Sequence, residues 1–189
     1  MEKQQPILIT VPATKDSHRW VAITALLLAI GMILHTISPN IGGITPNWTI
    51  AMYSITIALT RPSLTRAMGI GFVAGLTIVP SSKSAFPLGN IASEIVGGLT
   101  ACILVKAFLL THLDNFKFKG FVIGGIATAV SGGTFTYILH LVMKMPLNVW
   151  ITMMLPLVGM IALLNGIVTQ VLYGPVKKLF FMQGGRKNG

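Results

Sequence analysis

The sequence predicts an all-α membrane protein, a bundle of six transmembrane helices with both termini on the same side. Three observations predict it. Of 189 residues, 53% are hydrophobic and only 10% charged, with mean hydropathy +0.78, whereas a soluble domain is about 25% charged. The apolar residues fall into runs of spanning length. The basic residues alternate between the connectors of those runs. Together these exclude a soluble globular enzyme and a disordered chain. The formal net charge of +10 would suggest nucleic acid in a soluble protein. Here the bases flank apolar runs, so they read as a cytoplasmic loop bias, and no nucleic-acid partner is expected. The one cysteine, Cys102, excludes an intramolecular disulfide and a cysteine-rich zinc site.

Residues 1–19 are polar and mixed in charge and lack the apolar core of a signal peptide, so the first apolar run is expected to be retained. That run, Trp20 to Ile37, is helix 1. Helix 2 spans about Trp48 to Thr60, helix 3 Leu64 to Val79, and helix 4 Asn90 to His112. Helix 5 spans Phe118 to Met143 and helix 6 Leu147 to Phe181. About thirteen residues cover only ~20 Å of a ~30 Å hydrocarbon core, so helix 2 must be shielded by neighbours or end at a wet cavity. Residues 20–181 form the transmembrane domain, 1–19 a cytoplasmic segment and 182–189 a basic cytoplasmic tail.

Orientation follows from the connectors. One side receives Lys3, Lys15, Arg19, Arg61, Arg66, Lys117 and Lys119, together with Lys177, Lys178, Arg186 and Lys187. The other side receives only Lys83 and Lys144, so the first side is predicted to be cytoplasmic. The connectors Ser38 to Pro46, Pro80 to Gly89 and Lys144 to Pro146 then face out. Lys106 falls in the inner half of helix 4, placed to snorkel.

No catalytic or nucleotide-binding motif is present, and no cofactor or metal is implied. Ser131-Gly132-Gly133 with His140 brings an intramembrane serine protease to mind, but a glycine-rich packing face is the preferred reading. Glu94 is the only acidic residue inside a predicted span. A carboxylate there is expensive unless it is used. Asn90 lies one turn earlier on the same face. The preceding loop supplies Ser82, Lys83 and Phe86, and Asn47 and Trp48 open helix 2 at the same outer level. A carboxylate, an ammonium, an amide, hydroxyls and aromatics suit a polar or zwitterionic small molecule. The competing reading pairs Lys83 with Glu94 merely to hold the loop. His35 and Asn165 are further candidates, each with a capping or packing alternative. Tyr53 lies beside this group, and Trp20 and Trp150 read as interfacial belt residues. Ala22, Ala25 and Ala29 put small side chains on helix 1, and Gly71 and Gly75 do so on helix 3. Such spacing permits close helix approach, within the bundle or, for helix 1, with a partner.

Ala25-Leu-Leu-Leu-Ala29-Ile-Gly31, then Leu34-His35, Pro39, Gly42-Gly43 and Pro46, resembles the opening of the bacterial tryptophan transporter family, TrpP. The likeness resumes at Ser84-Ala85-Phe86-Pro87, Gly89 and Ile91, and again at Leu155-Pro156, Leu164-Asn165, Tyr173 and Pro175. That family is grouped with the S components of energy-coupling factor (ECF) transporters. The resemblance implies a six-helix, substrate-binding bundle in the bacterial cell membrane, with both termini cytoplasmic and a pocket open to the outside. The loops after helices 1 and 3 would cover that pocket. Helix 1 would dock through Ala22, Ala25 and Ala29 on a transmembrane T component joined to two ATPases. Two departures touch the pocket. The family's Lys-Pro-Asp element before helix 2 reads Thr45-Pro46-Asn47 here, and its Asp-Lys pair in helix 4 reads Glu94 followed by Ile95.

The sequence therefore predicts an ECF-like S component that captures tryptophan or a related aromatic or vitamin-like nutrient. Glu94 would hold an amine, Lys83, Ser82 and Asn47 a carboxylate, and Trp48 and Phe86 a ring. The rivals are a stand-alone proton-coupled transporter with Glu94 as the titrating group, and a membrane enzyme or assembly subunit.

Overall fold

The computed structural model describes residues 19–41 and 44–182. The expectations for the terminal segments, and for Gly42-Gly43, lie outside the described residues. Six helices follow in order: α1 Arg19–Ile37, α2 Thr49–Thr60, α3 Leu64–Ile78, α4 Gly89–Leu110 and α5 Lys119–Val142, then α6. α6 comprises Leu147–Val149, a π-helical turn at Trp150–Met154 and Leu155–Met182. No strand occurs among the described residues, so the chain is an all-α membrane protein. Five of the helices are long and apolar enough to span a bilayer, and α2 is the short one.

Burial explains how α2 survives at twelve residues. Every position from Thr49 to Ala58 is buried, because α1, α4, α5 and α6 surround it. The expected shielding covers all of α2 but its last two residues, Leu59 and Thr60, which are half-buried. By contrast α1 leaves Leu26, Ile30 and Ile33 exposed, an apolar surface suited to lipid or a partner.

The helix ends follow local chemistry. Ser63 accepts from the Arg66 amide at 3.4 Å, an N-cap that starts α3 directly after Pro62. Asn47 Oδ1 accepts from the Thr49 amide at 3.1 Å and starts α2. Arg61, His112 and Lys144 end α2, α4 and α5 with φ near +50° (48°, 56° and 51°), the left-handed stop usually taken by glycine. Pro156 has no amide proton, and its ring crowds the preceding turn. The helix accommodates it by widening into the π turn, where the Leu155 amide reaches back to Trp150 O.

α3 and α4 pack closest at two glycines. A Cβ on Gly71 would sit 2.2 Å from Glu94 O, and one on Gly75 would sit 2.6 Å from Ile91 Cα. The small-residue spacing on helix 3 is therefore intramolecular packing. It fixes the height at which Glu94 enters the bundle.

The loops segregate as the charge pattern predicted. At one end Arg61 pairs with Asp114 at 2.6 Å, and the Arg66 guanidinium lies 5.8 Å from the Trp20 ring. At the other end Lys83 Nζ donates to Ser38 O at 2.8 Å, joining the α3–α4 loop to the end of α1.

Candidate functional site

The buried polar centre of the bundle is built around Glu94, one turn into α4 and 1% exposed. Its Oε1 accepts from Asn47 Nδ2 at 2.7 Å and from Ser131 Oγ at 3.1 Å. The Tyr53 hydroxyl adjoins the same carboxylate. Neither that hydroxyl nor Glu94 Oε2 has a partner in hydrogen-bond geometry among the described residues. Below this pair, Asn165 Nδ2 on α6 donates to Asn47 O at 2.9 Å and to Thr128 Oγ1 at 3.1 Å. Asn165 Oδ1 is also without a partner among the described residues. One polar network therefore links α2, α4, α5 and α6 in the bundle interior, where each unsatisfied atom is costly.

The network lines a cavity of about 40 Å³. Glu94, Asn47, Asn90 and Ser131 supply its polar wall, with Phe135 and Ile161 on the apolar side. Ile44 and Thr45 of the α1–α2 loop also line it. Ligand pockets of drug-sized molecules run to about 300–1,000 Å³, so this cavity is too small for an aromatic ligand unless its lining, the loop residues Ile44 and Thr45 included, rearranges. Three hydrogen bonds hold that loop down. His35 Nδ1 lies 3.0 Å from Pro46 O, Trp48 Nε1 donates to Ser38 Oγ at 2.7 Å, and Lys83 donates to Ser38 O.

The nine candidate residues thus divide. Asn47, Asn90 and Glu94 line the cavity, and Asn165 lies directly beneath in the same network. Ser82 accepts from Asn90 Nδ2 at 3.2 Å and so acts one residue away. His35, Trp48 and Lys83 secure the covering loops rather than line the cavity. Lys83 does hold its loop, but through backbone carbonyls and not through Glu94. Phe86 packs beside Gly89, outside the cavity, and the aromatic side chain on the wall is Phe135.

Sequence reasoning missed Phe135, Thr128 and Ser131 as site residues. A signal was present: 128, 131 and 135 lie three and four apart on one face of α5. Ser131 had been set aside as part of a packing face. The small residues there do pack: a Cβ on Gly132 would lie 2.9 Å from Val158 Cγ1. Its serine nonetheless points at Glu94.

Residues 17–181 match the family described as "Tryptophan transporter TrpP". The chain belongs to the TrpP family. Its relatives include a "Probable tryptophan transport protein" of Clostridium perfringens, 30% identical over 174 residues, 87% of this chain and 94% of the relative. A protein of the same description from Clostridium acetobutylicum is 29% identical over 162 residues, covering 82% and 90% of the two chains. A third, from Bacillus subtilis strain 168, is 32% identical over 125 residues, 66% of this chain and 71% of the relative. No solved structure matches. Membership and the five apolar helices make this TrpP-family chain a multi-pass membrane transport protein.

Proposed function

We propose that the chain is a substrate-binding S component of an ECF-type importer and that its substrate is tryptophan. The observation that carries the site assignment is Glu94: a buried carboxylate with one oxygen held by Asn47 and Ser131 and the other outside strict hydrogen-bond geometry, with the Tyr53 hydroxyl beside the carboxylate. It faces a cavity with an aromatic and aliphatic opposite wall. In this reading Glu94 Oε2 takes the ligand ammonium and Phe135 stacks on the indole. Asn90 and Ser131 offer polar contacts beside them. No lysine or arginine lines the cavity, so Lys83 supplies the cation for the ligand carboxylate by leaving the Ser38 carbonyl as the loop lifts. Ser82 positions Asn90.

The coupling half of the proposal rests on family resemblance and on α1. Ala22, Ala25 and Ala29 are all exposed there, leaving a shallow face on which another membrane helix can lie close. The T component and two ATPases would occupy that side, and ATP would be consumed outside this chain. Both termini are then cytoplasmic, on the basic side.

Calorimetric titration of tryptophan into the purified protein in nanodiscs tests the site. Binding by the wild type and at least tenfold weaker binding by Glu94→Gln is the expected result. Unchanged affinity in the variant overturns the assignment. Glu94 is the only carboxylate within the described spans, and this favours one rival, a stand-alone proton-coupled transporter. Uptake into proteoliposomes driven by a pH gradient without any ATPase would establish that rival instead.

A further inference from the structure

A second cavity, about 580 Å³, opens at the basic end of the bundle, away from Glu94 and on the far side of α2. Nothing in the transport reading uses it. Arg61 from the α2–α3 turn, Lys117 and Lys119 from the start of α5, and Lys177 from α6 all line it, against one carboxylate, Asp114. Asp114 is already engaged: it pairs with Arg61 at 2.6 Å and with the buried Lys119. Lys117 and Lys177 meet no carboxylate among the described residues. Two cations therefore line this cavity without a carboxylate counter-charge among the described residues, Lys117 also lying 5.8 Å from the Phe118 ring, at a wall already braced by an Arg–Asp–Lys triad.

Two further features describe this wall. α5 begins here, with Lys119 and Gly120 among the lining, and its first turn is already engaged: the Phe121 amide donates to Gln170 Oε1 of α6 at 3.1 Å. Tyr173 lies one turn before Lys177 on α6 and also lines the cavity. The cavity lies where spanning helices end, which is the depth of phospholipid phosphates, and basic recesses between helices at that depth suit anionic headgroups. Phe116, on the rim, is exposed.

We propose that this cavity binds a phosphate group of net negative charge through Lys117 and Lys177. A phospholipid headgroup and a free phosphate share that chemistry, and the test separates them. The full chain in mild detergent is titrated with phosphatidylglycerol, with phosphatidylcholine and, separately, with inorganic phosphate against chloride, and the unfolding temperature is followed. The wild type is expected to be stabilised by several degrees by phosphatidylglycerol beyond phosphatidylcholine, with at least tenfold weaker half-saturation in the double variant Lys117→Gln/Lys177→Gln. A matched control, Lys106→Gln/Lys144→Gln, removes the same charge outside the cavity and is expected to respond like the wild type. Stabilisation by phosphatidylglycerol alone identifies a lipid site, and stabilisation by inorganic phosphate identifies a soluble one. Equal response to the two lipids with none to phosphate overturns the proposal. So does an equal loss in both double variants, which would reflect net charge and not this cavity.

Discussion

The two ends of the bundle enclose cavities of opposite design. Around Glu94 the space is small, and its carboxylate is held by neutral donors, Asn47 just before α2 and Ser131 on α5. Around Asp114 the space is more than ten times larger and open, and cations outnumber the carboxylate four to one. Both are organised by one acid, but the acids differ in role. Glu94 keeps an oxygen without a hydrogen-bond partner among the described residues. Asp114 spends both oxygens on internal cations. A carboxylate held only by neutral donors, one oxygen beside the Tyr53 hydroxyl, is suited to a cationic ligand group. One that is saturated by its neighbours is suited to holding a wall in place.

The sharpest way to break this contrast is to remove the first acid. In the proposed site a charge-assisted hydrogen bond to the ligand contributes about 1.5–3 kcal/mol. Glu94→Gln should therefore weaken tryptophan binding by roughly ten- to a hundredfold, while leaving the phosphatidylglycerol response at the other end untouched. Calorimetry on both ligands with one variant reads both halves. Parallel loss at the two ends would show that the variant disturbs the whole bundle.

Next in size is the second acid. Asp114→Asn leaves Lys119, only 3% exposed, without its anion. The cost should lie between that of an exposed and a buried ion pair, about 1–3 kcal/mol. The dependence on pH has a definite sign. The Lys119 hydrogen bond, aided by the charges of Lys119 and Arg61, holds the Asp114 carboxyl below its ordinary range. A group depressed in the folded state contributes its full stabilisation above its unfolded pKa, ~3.9, and loses it as pH falls through the folded value. The difference in unfolding temperature between wild type and Asp114→Asn should accordingly be constant from pH 7 to about 5 and shrink below about 4. A difference undiminished at pH 3 would mean that charge is not what Asp114 contributes.

A packing variant separates shape from charge. A Cβ on Gly97 would come 2.2 Å from the Tyr53 hydroxyl and 2.9 Å from Ser131 Cβ, both beside Glu94. Gly97→Ala should cost about 1–3 kcal/mol as an overpacked contact, measured by thermal unfolding in detergent, with tryptophan affinity falling through displacement of Ser131. Unchanged stability and affinity would show that α4 slides without consequence and that the tight approach is not needed for the site.

How far the sequence carries this contrast can be judged residue by residue. The six helices were legible because hydropathy and loop charge are properties of the chain itself, and lipid enforces both. Glu94 was legible because a carboxylate has no inexpensive place in a span, and Asn165 for a milder version of the same reason. Their partners were not. Asn47 and Ser131 lie 47 and 37 residues from Glu94, and only the crossing of α2 and α5 against α4 brings them together. Sequence order alone makes Lys83 a ligand-facing cation or a partner for Glu94, because its loop leads into the helix that carries Glu94. It goes instead to Ser38 O and Thr36 O at the end of α1. Carbonyls at a helix C-terminus lack intrahelical donors and carry the negative end of the dipole, a competitor invisible to sequence spacing. Arg61 and Asp114 both stood in connectors, but nothing in the chain announced that those two connectors touch.

That misplacement of Lys83 sets the smallest and most specific prediction. Lys83→Met keeps most of the apolar stem and removes the ammonium that donates to Ser38 O, while Trp48 still donates to Ser38 Oγ. Loss of one exposed donor of two should cost the closed loop about 0.5–1.5 kcal/mol. The cavity is too small for an aromatic ligand until Ile44 and Thr45 lift, so a looser loop should speed entry and exit together. Association and dissociation rates of tryptophan, followed by stopped-flow fluorescence, should both rise by a few-fold. If Lys83 also reaches the ligand carboxylate, dissociation rises more than association and affinity drops. If only association and dissociation rise in step, Lys83 is a latch alone and the cation of the proposed site must be sought elsewhere. Unchanged rates would mean that the α1–α2 loop does not gate this cavity, and that the ligand enters between the helices.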